Sequence, residues 1–347
     1  MAHEIEKHDS LVLRDKRAWH GLGTIIDEDC SAVDACENYG LGWKVHPWPI
    51  LTMNPETGEL MDVEDHCANV RVVKTPEGDT PNVLGIVGEG YKVCQNIELA
   101  EFVDALAQTG EVVIETAGSI RGGKRVWFLA RSDSFELPGG DVSHSYLLGS
   151  NAHDGSGAIR LDPTDIRVVC ANTLRSVVPD AAENRFKPAA ISIRHSGELK
   201  NKLAEAKRAL KEYASIKGQH REIVGKLADT KIERHEALAF FAARYSETFV
   251  IPGEGDNWKL KDRRTERMDR AAAAFLVRYD EECSKFGGES AWLALNAWTG
   301  YCQHDLTSRG ANAAARSENR IRSTLFGVGA QRTSEALADA VATFAAA

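Results

Sequence analysis

The run Arg121-Gly-Gly-Lys-Arg-Val-Trp-Phe-Leu-Ala-Arg131 constrains this chain more than any other segment. A Gly-Gly turn opens an alternating stretch, and period-2 alternation marks a strand with two different faces. Arg125, Trp127, Leu129 and Arg131 share one face, and Val126, Phe128 and Ala130 share the other. A strand that buries one face and sets arginines around an aromatic ring on the other suits a polyanion with stackable bases.

Residues 1–191 read as strands and turns around that segment. Trp43–Ile50 carries two prolines, which confine it to a sheet edge. Asn54-Pro-Glu-Thr-Gly58 and Thr75-Pro-Glu-Gly-Asp79 are turn signals flanking a strand at Ala68–Val73. Val83–Gly88, Tyr91–Cys94, Val112–Thr116, Ser145–Gly149 and Ile166–Cys170 read as further strands, and Ala171–Val178 as the opening of a helix. Asn96–Ala107 predicts a helix with Asn96 as its N-cap and Leu99, Phe102, Val103 and Leu106 as its apolar stripe.

From about Ser196 the texture becomes helical. Leu199, Leu203, Ala206, Leu210 and Tyr213 recur at spacings of four and three, continued by Lys217, His220, Val224 and Leu227. That pattern fits a coiled-coil-like seam or an amphipathic helix on its own domain. Trp292, Trp298 and Tyr301 sit at helical spacings and read as core. The basic stretch Lys259, Lys261, Arg263, Arg264, Arg267 and Arg270 reads first as a solvated helix face and second as a phosphate contact.

Charge decides which functions are open. The net charge is -9, with 17 Lys/Arg against 30 Asp/Glu in residues 1–191 and 19 against 16 in residues 192–283. An acidic whole disfavours indiscriminate coating of nucleic acid but leaves room for a local basic groove. Seven cysteines without a C-x-x-C pair fit reduced thiols, and no four ligands stand at zinc-site spacing. No apolar run reaches the length of a membrane span and the start has no apolar core, so a cytoplasmic protein is expected.

Ser150-Asn-Ala-His-Asp-Gly-Ser156 reads as a polar hairpin loop, since Asn, Asp and Gly form tight turns through their own backbone. Its alternative is a loop that presents His153 and Asp154 to a phosphate or a metal ion, with Asp162 or Asp165 as a third group. Gly85-x-x-Gly88-x-Gly90 lacks the dinucleotide-loop spacing, and no P-loop, G-x-S-x-G or H-E-x-x-H is present.

Five ordered motifs then carry a resemblance: Trp19-His-Gly-Leu-Gly23, Gly88-x-x-Tyr91-x-Val-x-Gln-Asn96, Glu115-Thr-Ala-Gly-Ser-x-x-Gly-Gly123 with Arg125-Val-Trp127, Leu148-x-Ser-Asn-x-His-Asp-Gly155, and Arg167-Val-Val-Cys-x-Asn-Thr-Leu174. Together with Arg322-Ser-x-x-Phe-Gly327 they resemble a phage/plasmid-like family of bacterial mobile elements, catalogued as a domain of unknown function. The order of elements also resembles, in architecture alone, the Rad52-like single-strand annealing proteins. Those form rings and hold DNA phosphates with Arg and Lys in a basic groove. The acidic balance of residues 1–191 departs from that pattern.

The expected architecture is α+β. A twisted, mainly antiparallel sheet with packed helices would occupy residues 1–191, a helical region residues 192–332, and a loosely ordered Ala-rich tail residues 333–347. The expected function is a phage or plasmid recombination or replication accessory that binds single-stranded DNA, with annealing as its extension. Arg121, Lys124, Arg125, Arg131, Arg160 and Arg167 would meet phosphates and Trp127 would stack on a base. No catalytic residue, metal or cofactor is called for, and self-association, with a ring as one form, is expected. The rival readings are a metal-dependent hydrolase using His153 and Asp154, and an acidic protein-interaction module acting against host defence.

Overall fold

The computed structural model describes residues 11–13, 24–25, 30–107, 113–167, 173–175, 177–180, 185–188, 191–197, 215–245, 263–306, 308–310, 316, 319–320, 322–324 and 327–345. In chain order its elements are β1 (Leu11–Leu13), β2 (Thr24–Ile25), α1 (Ala32–Asn38), β3 (Val45–Met53), β4 (Leu60–Thr75), β5 (Gly78–Gly88), α2 (Asn96–Ala107), β6 (Val113–Ile120), β7 (Arg125–Leu137), β8 (Asp141–Ala152) and β9 (Ile159–Arg167). There follow β10 (Thr173–Arg175), β11 (Val177–Asp180), β12 (Arg185–Pro188), β13 (Ile191–Ile193), α3 (215–229), α4 (Arg234–Tyr245), α5 (Arg263–Phe286), α6 (Ala291–Gly300) and α7 (Val328–Ala340). The architecture is α+β, as the sequence predicts.

The chain divides into two compact units. The first takes Met1–Asp133, Ser145–Pro163 and Ala190–Tyr213, and the second takes Ser134–His144, Thr164–Ala189 and Ala214–Ala347. The boundary runs through long strands, because the hairpin end of β7 and β8 and the last residues of β9 belong to the second unit.

In the first unit the main sheet has the order β9-β8-β7-β6-β1-β2, with β13 also pairing β9. Alternation along β7 sends Val126, Phe128 and Ala130 inward, where they meet Leu99, Phe102 and Val103 of α2. Gly149 on β8 lets the helix come close, since a Cβ there would stand 2.6 Å from a Val103 methyl. The β6–β7 turn depends on left-handed backbone at Arg121, Gly122 and Gly123. A separate sheet, β3-β4-β5, has β3 at its edge, where Pro47 and Pro49 are accommodated.

The second unit buries Phe241, Phe275 and Tyr279 against the face of α6 that carries Trp292, Leu295 and Trp298. Ring stacking of Phe241 on Phe275 at 4.8 Å and its edge contact with Trp298 at 5.6 Å fix the crossing. The Trp292 indole N–H donates to Asp141 at 2.8 Å, so a buried carboxylate is tied to the helical core.

Several expectations change. Ala171–Val178 is not a helix over its described residues: Thr173–Arg175 pairs with β9 and Val177–Asp180 with β12. The β-branched Thr173, Val177 and Val178 favour extended pairing over a helix. Tyr91–Cys94 is no strand but an extended connection, whose Lys92 N–H donates to the His195 carbonyl. The Ala-rich end is no loose tail, because α7 buries Thr333, Leu337 and Ala340. Of the helical seam, residues 199–213 lie outside the described residues, while His220, Val224 and Leu227 face the core of their own unit.

Trp292→Phe leaves a smaller aromatic ring in the core and removes the donor to Asp141. It is expected to lower the unfolding free energy by about 1–3 kcal/mol, measured by urea unfolding followed by far-UV circular dichroism.

Candidate functional site

Two places collect polar side chains, one buried and one open. The buried one centres on His153, in the turn after β8. Its N–H donates to the Lys124 carbonyl at 2.8 Å, and its carbonyl accepts from Asn69 Nδ2 at 2.8 Å. On the ring, Nε2 lies 2.8 Å from Asn96 Oδ1, while Asn96 Nδ2 donates to the Leu41 carbonyl. The amide orientation therefore puts the proton on Nε2, and Nδ1 faces Asn151 Nδ2 at 3.5 Å. Asn151 Nδ2 also donates to the Cys94 carbonyl. Burial drives the His153 pKa down to about 3, with His195 adding to the effect.

This network explains the sequence around it. Asn96 opens α2, yet its side chain crosses to His153 instead of capping the helix; Glu98 instead accepts the Gln95 N–H at 2.8 Å. Tyr91 stacks on His195 at 4.3 Å and donates its hydroxyl to the Ala152 carbonyl. Gly85 lies against the same turn, where a Cβ would stand 2.6 Å from Asp154 Cα. The loop is shorter than expected, since Ser150–Ala152 are the buried end of β8; residues 153–157 make the turn, and it is a structural pin. Both ring nitrogens of His153 are engaged, and Asp154 accepts from the Ser156 N–H and pairs with Arg121 at 3.7 Å. Among the described residues no cluster of His, Cys, Asp and Glu has the makings of a metal site.

The residues expected to meet DNA do not share one groove. Arg121, Lys124 and Arg125 come together at the β6–β7 turn beside residues 153–157, with the Arg125 guanidinium lying over Gly157. Arg131 is six residues further along β7, about 20 Å away at strand rise, and faces Glu115 at 3.8 Å. Arg160 makes a two-pronged contact to the buried Asp162 on its own strand. Trp127 is 2% exposed, so its ring offers no stacking platform to a base. Its burial follows from its position opposite Gly118 on β6, deep in the sheet rather than on a solvent face. Arg167 ends β9, and its side chain lies outside the described residues.

The open place is in the second unit. A cavity of about 1090 Å³ is lined by Arg270, Arg309, Arg320, Arg322 and Arg332, with Asp305 as its sole carboxylate among the described lining residues. Asp305 is itself taken by Arg278, whose Nε and Nη2 grip its two oxygens. Tyr245, Tyr301, Asn319, Ser323 and Thr324 complete the polar wall. After α6 the helix widens into a π-turn over Tyr301–Asp305, closed by a Leu306 N–H to Tyr301 carbonyl bond at 3.1 Å. That turn places Tyr301 in the core and Asp305 on the cavity. On the far wall the Gly329 N–H is held by Ser323 Oγ at 3.1 Å, and a Cβ there would collide with Ser323 at 2.8 Å. Burial pushes the Cys302 thiol up to about 12 even with Arg332 close by.

Residues 83–325 match the family described as Domain of unknown function (DUF932). The chain belongs to that family. The DUF932 match takes in the His153 turn and most of the arginine-lined wall, whereas β3 and β4 precede it. The chain matches no curated protein and no solved structure. The cavity is not legible in sequence because its arginines are spread from 270 to 332; the local signals are Arg270 at the end of the basic stretch and Arg322-Ser-x-x-Phe-Gly327.

The folded His153 pKa of about 3 lies below the ordinary 6.5. As pH falls below about 6.5 the unfolded chain takes up a proton that the folded ring refuses, so stability falls. The slope reaches about 1.4 kcal/mol per pH unit. His153→Gln is expected to flatten that dependence between about pH 6.5 and 4.5, read from urea midpoints; equal slopes in the two proteins would contradict the buried neutral imidazole.

Proposed function

We propose that this protein binds single-stranded nucleic acid, serving as an accessory of DNA recombination or replication in a bacterial mobile element. The observation that carries the reading is the cavity whose described lining residues include five arginines and one carboxylate, itself engaged by Arg278. Guanidinium groups match phosphate oxygens in a planar two-point fashion and stay charged at any physiological pH. Their concentration on one wall of a chain with net charge -9 makes a local anion site on a repelling body. Open concavity and volume suit a few nucleotides of one strand, with phosphates on the arginines.

Such binding needs no catalytic residue. Holding a strand extended with its phosphates neutralised is what annealing requires, so annealing is the natural extension of this reading. The trio Arg121, Lys124 and Arg125 at the β6–β7 turn offers a further cationic contact in the other unit. His153 and Asp154, spent on pinning a turn, do not favour the hydrolase alternative.

Fluorescence anisotropy with a labelled oligo-dT strand and a matching duplex, at two salt concentrations, tests this. The expected result is tighter binding of the single strand, with log affinity falling against log salt at a slope of up to about -3.5 for five contacts. Arg322→Glu with Arg332→Glu should weaken binding by about 10- to 100-fold, and Arg121→Glu with Arg125→Glu by less. Absence of binding at low salt, or affinity unmoved by either pair, would sink the reading.

A further inference from the structure

Two surfaces of this chain are complementary in charge and in apolar character. The first is the arm formed by β3, β4 and their turn. Between Lys44 and Arg71 the sequence has five carboxylates, Glu56, Glu59, Asp62, Glu64 and Asp65, and neither Lys nor Arg. The same sheet concentrates exposed apolar side chains. Of nine large hydrophobic residues exposed among the described residues, Trp48, Leu51, Met53, Leu60, Met61, Val83 and Ile86 all lie on β3, β4 or β5. At the tip Leu51, Met53 and Leu60 share one face, and an exposed apolar group of that kind marks an interaction site.

The arm is built to be presented rather than to fold away. Asn54 Oδ1 accepts the Glu56 N–H at 2.9 Å, the Gly58 N–H returns to the Asn54 carbonyl, and the Asn54 N–H donates to Glu59. Met53 stands opposite Leu60, and Leu51 opposite Asp62, so apolar and acidic groups share one face near the tip. Pro47 and Pro49 remove edge donors from β3, which discourages strand-by-strand addition and leaves side-chain docking as the mode.

The second surface is the arginine-lined cavity. Its wall mixes guanidiniums with Ala271, Ala274, Leu306 and Val328, and Val328 is another of the nine exposed hydrophobics. We propose that the β3–β4 arm docks in the cavity of a second copy of this chain, so that self-association and strand binding compete for one site. The inference rests on the reading of that cavity as an anion site. Because donor and acceptor surfaces differ, the contact is heterologous and propagates head to tail into a ring or a filament.

Sedimentation velocity of the full chain at low and high salt provides the test, with oligo-dT binding measured alongside. Wild type should associate at low salt and dissociate at high salt. Glu59→Lys with Asp62→Lys should abolish association and retain oligo-dT affinity, whereas Arg322→Glu with Arg332→Glu should abolish association and weaken oligo-dT binding by about 10- to 100-fold. An equimolar mixture of those two variants should associate again, because the reversed arm of one meets the reversed cavity of the other; recovery also shows that both are folded. Met53→Ser with Leu60→Ser should weaken association with charge unchanged. A monomeric wild type, arm variants that associate like wild type, or a mixture that stays monomeric would overturn the proposal. If association follows the predicted pattern while oligo-dT fails to bind, docking stands and the nucleic-acid reading falls.

Discussion

The neutral imidazole of His153 is the interaction on which the first unit is assembled. Its ring and backbone join β4 through Asn69, α2 through Asn96, β8 through Asn151 and the β6–β7 turn through Lys124. Each of these amides is buried, and each would cost desolvation energy if its partner were absent. Closure is complete on the nitrogens only: Asn69 Oδ1 and Asn151 Oδ1 are buried without a hydrogen-bond partner. The proton position is set by Asn96, whose own nitrogen is committed to Leu41, so one amide fixes the tautomer and ties the first residue of α2 to the Leu41 carbonyl.

Cationic groups follow a different logic in each unit. In the sheet unit, Arg121, Arg131 and Arg160 have carboxylates within 4 Å, and their charge is balanced where it arises. In the last of these pairs Asp162 is buried, so leaving it without Arg160 would carry a desolvation cost. In the helical unit five arginines line one cavity, and the one carboxylate among its described lining residues is held by Arg278.

The sequence was legible where local chemistry decides. Alternation placed β7 and its Gly-Gly turn, turn residues placed the β4–β5 hairpin, and the stripe of Leu99, Phe102 and Val103 placed α2. It was illegible where distant partners decide. Trp127 alternates with core residues, yet both faces of β7 are buried there, and a period of two does not reveal which face meets solvent. Asn96 has the residue type of a cap, but a histidine 57 positions away claims its side chain. The cavity needed α5, the π-turn and the start of α7 to be folded together before its arginines became neighbours.

The π-turn at Tyr301–Asp305 sets a phase between core and cavity. Its i to i+5 bond takes one more residue per turn than an α-helix would. Five residues at this wider pitch turn through nearly the angle that four cover in an α-helix, so the π-turn holds one extra residue between Tyr301 in the core and Asp305 on the cavity without throwing the helix out of phase.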